Sequence, residues 1–194
     1  MEYSDRLIEA FRLACELHRT QQRKGSAAPY VTHLMAVAAA VGDYGGSEDQ
    51  AIAALLHDAV EDQGGIETLD RIRAAFGECV AGYVMACSDS SIQPKPPWRA
   101  RKEAFVARVA EADGNVRLIV AADKLHNARS LIRTLRESGP GAWDYFKGGR
   151  DGTLWYYGEM VRALSRNWNH PILRELADTV ESLHRTAASL ESRG

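Results

Sequence analysis

The stretch "LLHDAVED" (residues 55–62) decides how this chain is read. Two leucines continue an apolar helical run, and then His57, Asp58, Glu61 and Asp62 arrive almost together. At ~100° per residue, one unbroken helix sets Asp58 ~100° from His57, Glu61 ~40° and Asp62 ~140°, so all four share an arc. Charge on a face next to the core is costly unless something compensates it. A metal ion compensates well. His57 and Asp58 offer an imidazole nitrogen and a carboxylate oxygen, a mixed set that suits Mn²⁺, Fe²⁺ or Zn²⁺. Two ligands do not make a tight site, so others must come from elsewhere in the chain.

Outward from this segment the dominant period is helical. In "SDRLIEAFRLACELH" the apolar residues Leu7, Ile8, Phe11, Ala14 and Cys15 recur at three and four, with Ser4 as N-cap. A second helix is expected over 32–43. Ser47 caps a third, which runs through "SEDQAIAALLHDAVED" until Gly64 and Gly65 close it. Helices over 67–76, 78–86 and 99–112 follow, the last two separated by the proline-rich loop "SDSSIQPKPPW" (88–98). "VRLIVAADKLHNARSLIRTL" reads as a long helix with Val116, Ile119, Val120, Leu125 and Leu131 inward, broken at 138–141. Helices over 152–166 and 171–192 complete the chain. "VRLIV" alone has strand propensity, but its continuation is helical and no partner strand is legible. The expected fold is all-α: one domain over 1–194, a bundle of roughly eight to ten helices.

Composition narrows the function classes. With 194 residues the chain can bury a substantial core. A formal net charge of −2 provides no strong field toward nucleic acid or an anionic membrane, so neither is expected as a partner. No apolar run approaches the ~20 residues that span a bilayer. Cys15, Cys79 and Cys87 form no paired framework, and the charged start "MEYSDRLIEAFRL" is no signal peptide, so a reduced cytoplasmic setting is expected.

Two residues are candidates to complete the site. His33 opens the second expected helix in "PYVTHLMAV", and Asp123 enters the apolar "LIVAADKLHN". Each has a plainer reading: a buried histidine is often a hydrogen-bonded core residue, and a buried acid often pairs with an arginine. The conjunction favours a site of two histidines and two aspartates, His33, His57, Asp58 and Asp123.

Four segments carry a family resemblance. "QQRKGSAAPYVTH", "AALLHDAVED", "WRARKEAF" and "AADKLHNARSL" together resemble the HD-domain metal-dependent phosphohydrolases. Within them the chain looks like the hydrolase domain of the RelA/SpoT homologues, in particular the small single-domain alarmone hydrolases, over about residues 4–165. The resemblance implies an HD-type helical bundle. It implies that His33, His57, Asp58 and Asp123 bind one Mn²⁺ and that Glu61 and Asp62 orient or deprotonate the attacking water. It implies that Arg23 and Lys24 contact a purine, and that Lys102, Lys124 and Asn127 hold ribose or phosphates. The implied reaction removes the 3′-pyrophosphate of guanosine tetra- or pentaphosphate, giving GDP or GTP and pyrophosphate. The chain departs from the family pattern on the nucleotide side: "GSAAPY" follows the Arg-Lys pair, Leu34 follows His33 where a proline is usual, and "ACSDSSIQPKPPW" replaces the usual "VT" followed by polar residues.

The chemistry also stands on the residue types. A divalent ion acidifies water, phosphoryl transfer needs mainly positioning and charge neutralisation, and Arg23, Lys24, Arg101, Lys102 and Lys124 could receive a polyphosphate. As a plainer reading, the "RK" and "RARK" pairs are solvated. His126, three residues after Asp123, reads as a supporting or structural hydrogen-bonding residue, as does His18. His170 belongs to turn chemistry and His184 to a solvent face. Trp143, Tyr145, Phe146, Trp155 and Tyr156 read as core packing before base stacking. Two other functions stay open: a phosphohydrolase for another nucleotide (NADPH, a deoxynucleotide or a nucleoside monophosphate), or a nucleotide-binding regulatory module without activity. The expected partner is a small nucleotide; the residues leave monomer and homodimer equally open.

Overall fold

The computed structural model describes residues 3–89 and 94–191. The expected loop over 88–98 falls partly outside them, at Ser90, Ser91, Ile92 and Gln93. The described residues form α1 (Asp5–Leu17), α2 (Val31–Asp43), α3 (Glu48–Leu56), α4 (Ala59–Asp62), α5 (Gly65–Phe76) and α6 (Glu78–Cys87). These are followed by α7 (Trp98–Glu111), α8 (Gly114–Ser138), a 3₁₀ segment (Gly139–Tyr145), α9 (Gly149–Leu164) and α10 (Pro171–Glu191). Among the described residues there is no strand, only an isolated bridge between Gln22 and Pro29. The all-α expectation therefore holds.

The helix starts follow from capping. Ser4 accepts from the Arg6 backbone N–H and opens α1, while Ser47 and Gln50 form a reciprocal capping box that opens α3. Asp113 accepts from the N–H groups of Asn115 and Val116 and starts α8. The segment "VRLIV" is thus helical, because the cap sets its beginning and the apolar period continues past it. Ser4 also joins two helices: its N–H and hydroxyl both donate to Glu48, at 2.6 and 2.8 Å.

The axis of the bundle is α8. Every residue from Val116 to Asp123 is buried, so this half of the helix is surrounded by protein. It packs against α2, α3, α6 and α10, while α1 lies on α3 and α7 on α9. Arg117 is buried there without a carboxylate and is satisfied by the carbonyls of Ala110, Ala112 and Arg166. A buried cation of this kind is tolerable because its N–H groups are used.

One expectation changes in a way that matters. The helix read as continuous from Ser47 to Asp62 stops at Leu56, turns at His57 and Asp58, and resumes as the four-residue α4. The single arc computed for an unbroken helix therefore does not apply. The reason lies in the His57 ring. Its Nδ1 donates to the Ala54 carbonyl at 2.7 Å, partnering one of the last carbonyls of α3. The bend lets His57 and Asp58 point inward together, while Glu61 and Asp62 leave in different directions.

No helix is long and apolar enough to cross a membrane, among the residues described.

Candidate active site

Three elements meet at the bend. α2 brings His33, the turn after α3 brings His57 and Asp58, and α8 brings Asp123. His33, His57 and Asp58 offer ligand atoms within 4.8 Å of one another. The Nε2 of His33 lies 3.6 Å from Asp58 Oδ2 and 3.2 Å from Asp123 Oδ1. The Nε2 of His57 lies 3.0 Å from Asp58 Oδ2 and 3.5 Å from Asp123 Oδ1. Both histidines are buried, and neither Nε2 has a hydrogen-bond partner.

Orphaned buried nitrogens facing two carboxylates call for a cation. Donors about 2.1 Å from one ion, at tetrahedral or octahedral angles, stand roughly 3.0–3.4 Å apart; the observed separations run from 3.0 to 3.6 Å, close to that range. The residues therefore fit a divalent metal ion. The charges of the cluster lean on one another. Burial opposes charge on His57, but Asp58 and Asp123 outweigh it and hold its pKa well above the ordinary value. Burial likewise opposes ionisation of both acids. His57 and His33 hold Asp58 well below the ordinary carboxylate range, and Lys124, then His33 and His57, do the same for Asp123.

Around this cluster lies a shell of directed hydrogen bonds. The Tyr30 hydroxyl donates to Asp58 Oδ2 at 2.6 Å, and His33 Nδ1 lies 2.8 Å from His126 Nδ1. Asp123 receives Lys124 at 2.6 Å on one oxygen and the Asn127 amide on the other. Asp62, expected at the water, is exposed and accepts from Gln21 Nε2 at 2.8 Å, and Gln21 in turn meets His18 and Gln63. Glu61 turns the other way. Its carboxylate lies 3.1 Å from Lys95 Nζ and 3.8 Å from the Arg101 guanidinium. Burial, and then the Asp89 charge, raise the Glu61 pKa against the pull of Lys102 and Lys95.

The expected substrate cations are brought to the same side, and most hold carboxylates or amides. Lys102 pairs with Asp89 at 2.6 Å, beside the bidentate Arg101–Asp89 contact at 2.5 Å. Lys102 and Lys124 both sit over the Tyr156 ring, at 4.9 and 5.6 Å. Arg23 donates to Asn127 at 2.6 Å and lies over Tyr30, while Lys24 is exposed. Their loop is closed by backbone bonds Arg23 to Ala28 and Tyr30 to Gln21, and it turns at Gly25, whose φ is +69°. The Tyr145 ring rests where a Gly25 Cβ would lie, 2.7 Å away.

Sequence reasoning missed Gln21, Tyr30, Lys95 and Asp89 as parts of this site. Tyr30 stands at the N-cap of α2 but makes no side-chain capping bond, so no capping signal marks it. Lys95 and Asp89 lie in or beside the loop whose prolines and serines mark only irregularity. A charged residue with no period leaves no pattern to find.

This fold and this pair of histidines and aspartates define a class: the chain belongs to the HD domain family, whose model matches residues 10–153. Among particular proteins, it is 35% identical over 134 residues to one from Xenopus tropicalis named guanosine-3′,5′-bis(diphosphate) 3′-pyrophosphohydrolase MESH1, covering 68% of this chain and 72% of that one. The Homo sapiens protein of the same name is 36% identical over 134 residues, with the same coverage of both chains. A solved structure of a metazoan ortholog of SpoT, described as hydrolyzing ppGpp, is similar with a TM-score of 0.77 at 27% identity, over 94% of this chain and 97% of that one.

Proposed function

We propose that this chain is a Mn²⁺-dependent hydrolase that removes the 3′-pyrophosphate of guanosine 3′,5′-bispyrophosphates. The observation that carries the reading is the pair of orphaned Nε2 atoms of His33 and His57, set against Asp58 and Asp123. The activity named for the Xenopus and human relatives supplies the substrate class.

His33, His57, Asp58 and Asp123 would hold the ion. When bound, it acidifies water and neutralises phosphoryl charge. In the proposed reaction the water oxygen bonds to the phosphorus carried on the ribose 3′ oxygen. The bond from that phosphorus to the 3′ oxygen breaks, and pyrophosphate leaves. Glu61 takes the water proton on its carboxylate, a role its raised pKa favours because a base works best near the operating pH. The 3′ oxygen leaves as a hydroxyl once it has taken up a proton. Lys102 and Lys124 exchange part of their contact with Asp89 and Asp123 for substrate oxygens, with Asn127 beside them. Arg23 and Lys24 receive the base, where a guanidinium plane stacks well. Asp62 orients rather than deprotonates, since Gln21 already holds one of its oxygens. A reduced cytoplasmic location suits the free cysteines Cys15, Cys79 and Cys87.

The test is pyrophosphate release from the alarmone by Mn²⁺-loaded protein, with Glu61→Gln as control. Release that disappears in Glu61→Gln supports the reading. Absence of release, with turnover of NADPH, a deoxynucleotide or a nucleoside monophosphate instead, would assign the same site to another nucleotide. Binding without any turnover would make the chain a regulatory module.

A further inference from the structure

The two histidines of the cluster are oriented by different chemistry. His57 donates from Nδ1 to the Ala54 carbonyl at 2.7 Å. A carbonyl only accepts, so His57 Nδ1 carries a proton and Nε2 is the nitrogen left to face a cation. Backbone alone settles that tautomer. His33 has no such partner. Its Nδ1 faces the Nδ1 of His126 at 2.8 Å, with the ring centroids 4.8 Å apart.

Two ring nitrogens at that distance are joined by one proton. If His126 donates it, the proton of His33 is on Nε2. That N–H would then point at Asp58 and Asp123, and His33 could not bind a cation. If His33 donates it, Nε2 is bare and faces Asp123 Oδ1 at 3.2 Å and Asp58 Oδ2 at 3.6 Å. Only the second arrangement leaves a set of two imidazoles and two carboxylates. His33 is fully buried, so water cannot replace the missing acceptor. The acceptor must be His126.

We propose that His126 is a positioning residue: its Nδ1 accepts the Nδ1–H of His33 and so fixes the bare Nε2 of His33 on the metal. The inference rests on the metal reading above. His126 sits one turn beyond Asp123 on α8, so a single helix supplies a carboxylate to one edge of the His33 ring and an acceptor to the other. Movement of α8 against α2 would disturb both together.

The experiment compares Mn²⁺ affinity of metal-free wild type, His126→Phe and His126→Asn, read from the electron paramagnetic resonance signal of free Mn²⁺. The Asn Oδ1 can accept where Nδ1 did. Outer-sphere partners of metal-bound histidines typically account for about 10- to 100-fold in affinity, and a loss of that size is expected for His126→Phe. His126→Asn should stay within about threefold of wild type on the same scale. Nitrogen NMR of wild type loaded with diamagnetic Zn²⁺ should place the proton between the two rings on His33 Nδ1, a measurement that survives even if His126→Phe fails to fold. Wild-type-like affinity in His126→Phe, or a shared proton carried by His126 Nδ1, would overturn the inference and leave the metal centre intact. A wild type that does not take up Mn²⁺ would overturn both.

Discussion

The Tyr30 hydroxyl donates to Asp58 Oδ2 at 2.6 Å, joining the loop before α2 to the bend after α3. The ring is stacked on His18, with centroids 5.2 Å apart, and lies under Arg23. One side chain thus touches a proposed ligand on one edge and the proposed base-binding loop on its face. The bond uses one lone pair of the carboxylate and leaves the rest for a cation. Tyr30→Phe keeps the stacked ring and removes only the donor. It should weaken Mn²⁺ binding about tenfold, at the lower end for outer-sphere partners, with little change in thermal stability. Metal titration beside a melting curve checks both halves of the expectation.

Removal of the metal should lower stability. Without a cation, the buried Asp123 and the half-buried Asp58 rely on His57 and Lys124 for compensation. An ion that binds only the native state adds about 2.7 kcal/mol when its concentration is a hundred times Kd. Chelation should therefore lower the melting temperature by several degrees, and added Mn²⁺ should restore it. A melting temperature that ignores both treatments would count against the site.

Asp89 should report on pH. Its carboxylate is buried between Arg101 and Lys102. Burial works to raise its pKa, but Lys102 and then Arg101 outweigh this and hold it below the ordinary carboxylate value. A lowered folded-state pKa gives stability that is complete above the unfolded value of about 3.9 and is lost as pH falls through the folded one. Asp89→Asn leaves Arg101 buried without its partner, a loss of about 3 kcal/mol at neutral pH. The gap between wild type and variant, measured by denaturant unfolding, should be constant above pH about 5 and narrow below about 4. A gap that widens on acidification would contradict the sign.

Gly25 should matter to substrate rather than to metal. Its φ of +69° disfavours any side chain, and a Cβ there would meet the Tyr145 ring at 2.7 Å. Gly25→Ala must move the ring or the loop that carries Arg23 and Lys24. The left-handed backbone alone costs about 1–2 kcal/mol for an L-residue. KM for the alarmone should rise, while Mn²⁺ affinity and kcat change less. An unchanged KM would place base recognition elsewhere.

The helices were legible because each rests on local rules. Ser4 and Ser47 cap where a capping residue precedes an apolar period, and α1 and α3 begin as expected. His33, His57, Asp58 and Asp123 stood out because charge inside an apolar run has few explanations, and the structure brings them to one place. The break at His57 was hidden. Nothing in "LLHDAVED" says that a ring nitrogen will take the Ala54 carbonyl and stop the helix, since an uninterrupted turn satisfies the same local propensities.

What the sequence by itself determined is the set of helices, their apolar faces and the identity of the four titratable intruders among them, all properties of neighbours along the chain. Which partner each side chain takes was decided by tertiary structure alone. Glu61 and Asp62 are adjacent, yet one faces Lys95 and the other Gln21. His126 is three residues from Asp123, and its partner His33 lies on another helix. Hydrogen bonds and ion pairs depend on separations of about 3 Å, and only the packing of α2, the α3 bend and α8 sets those.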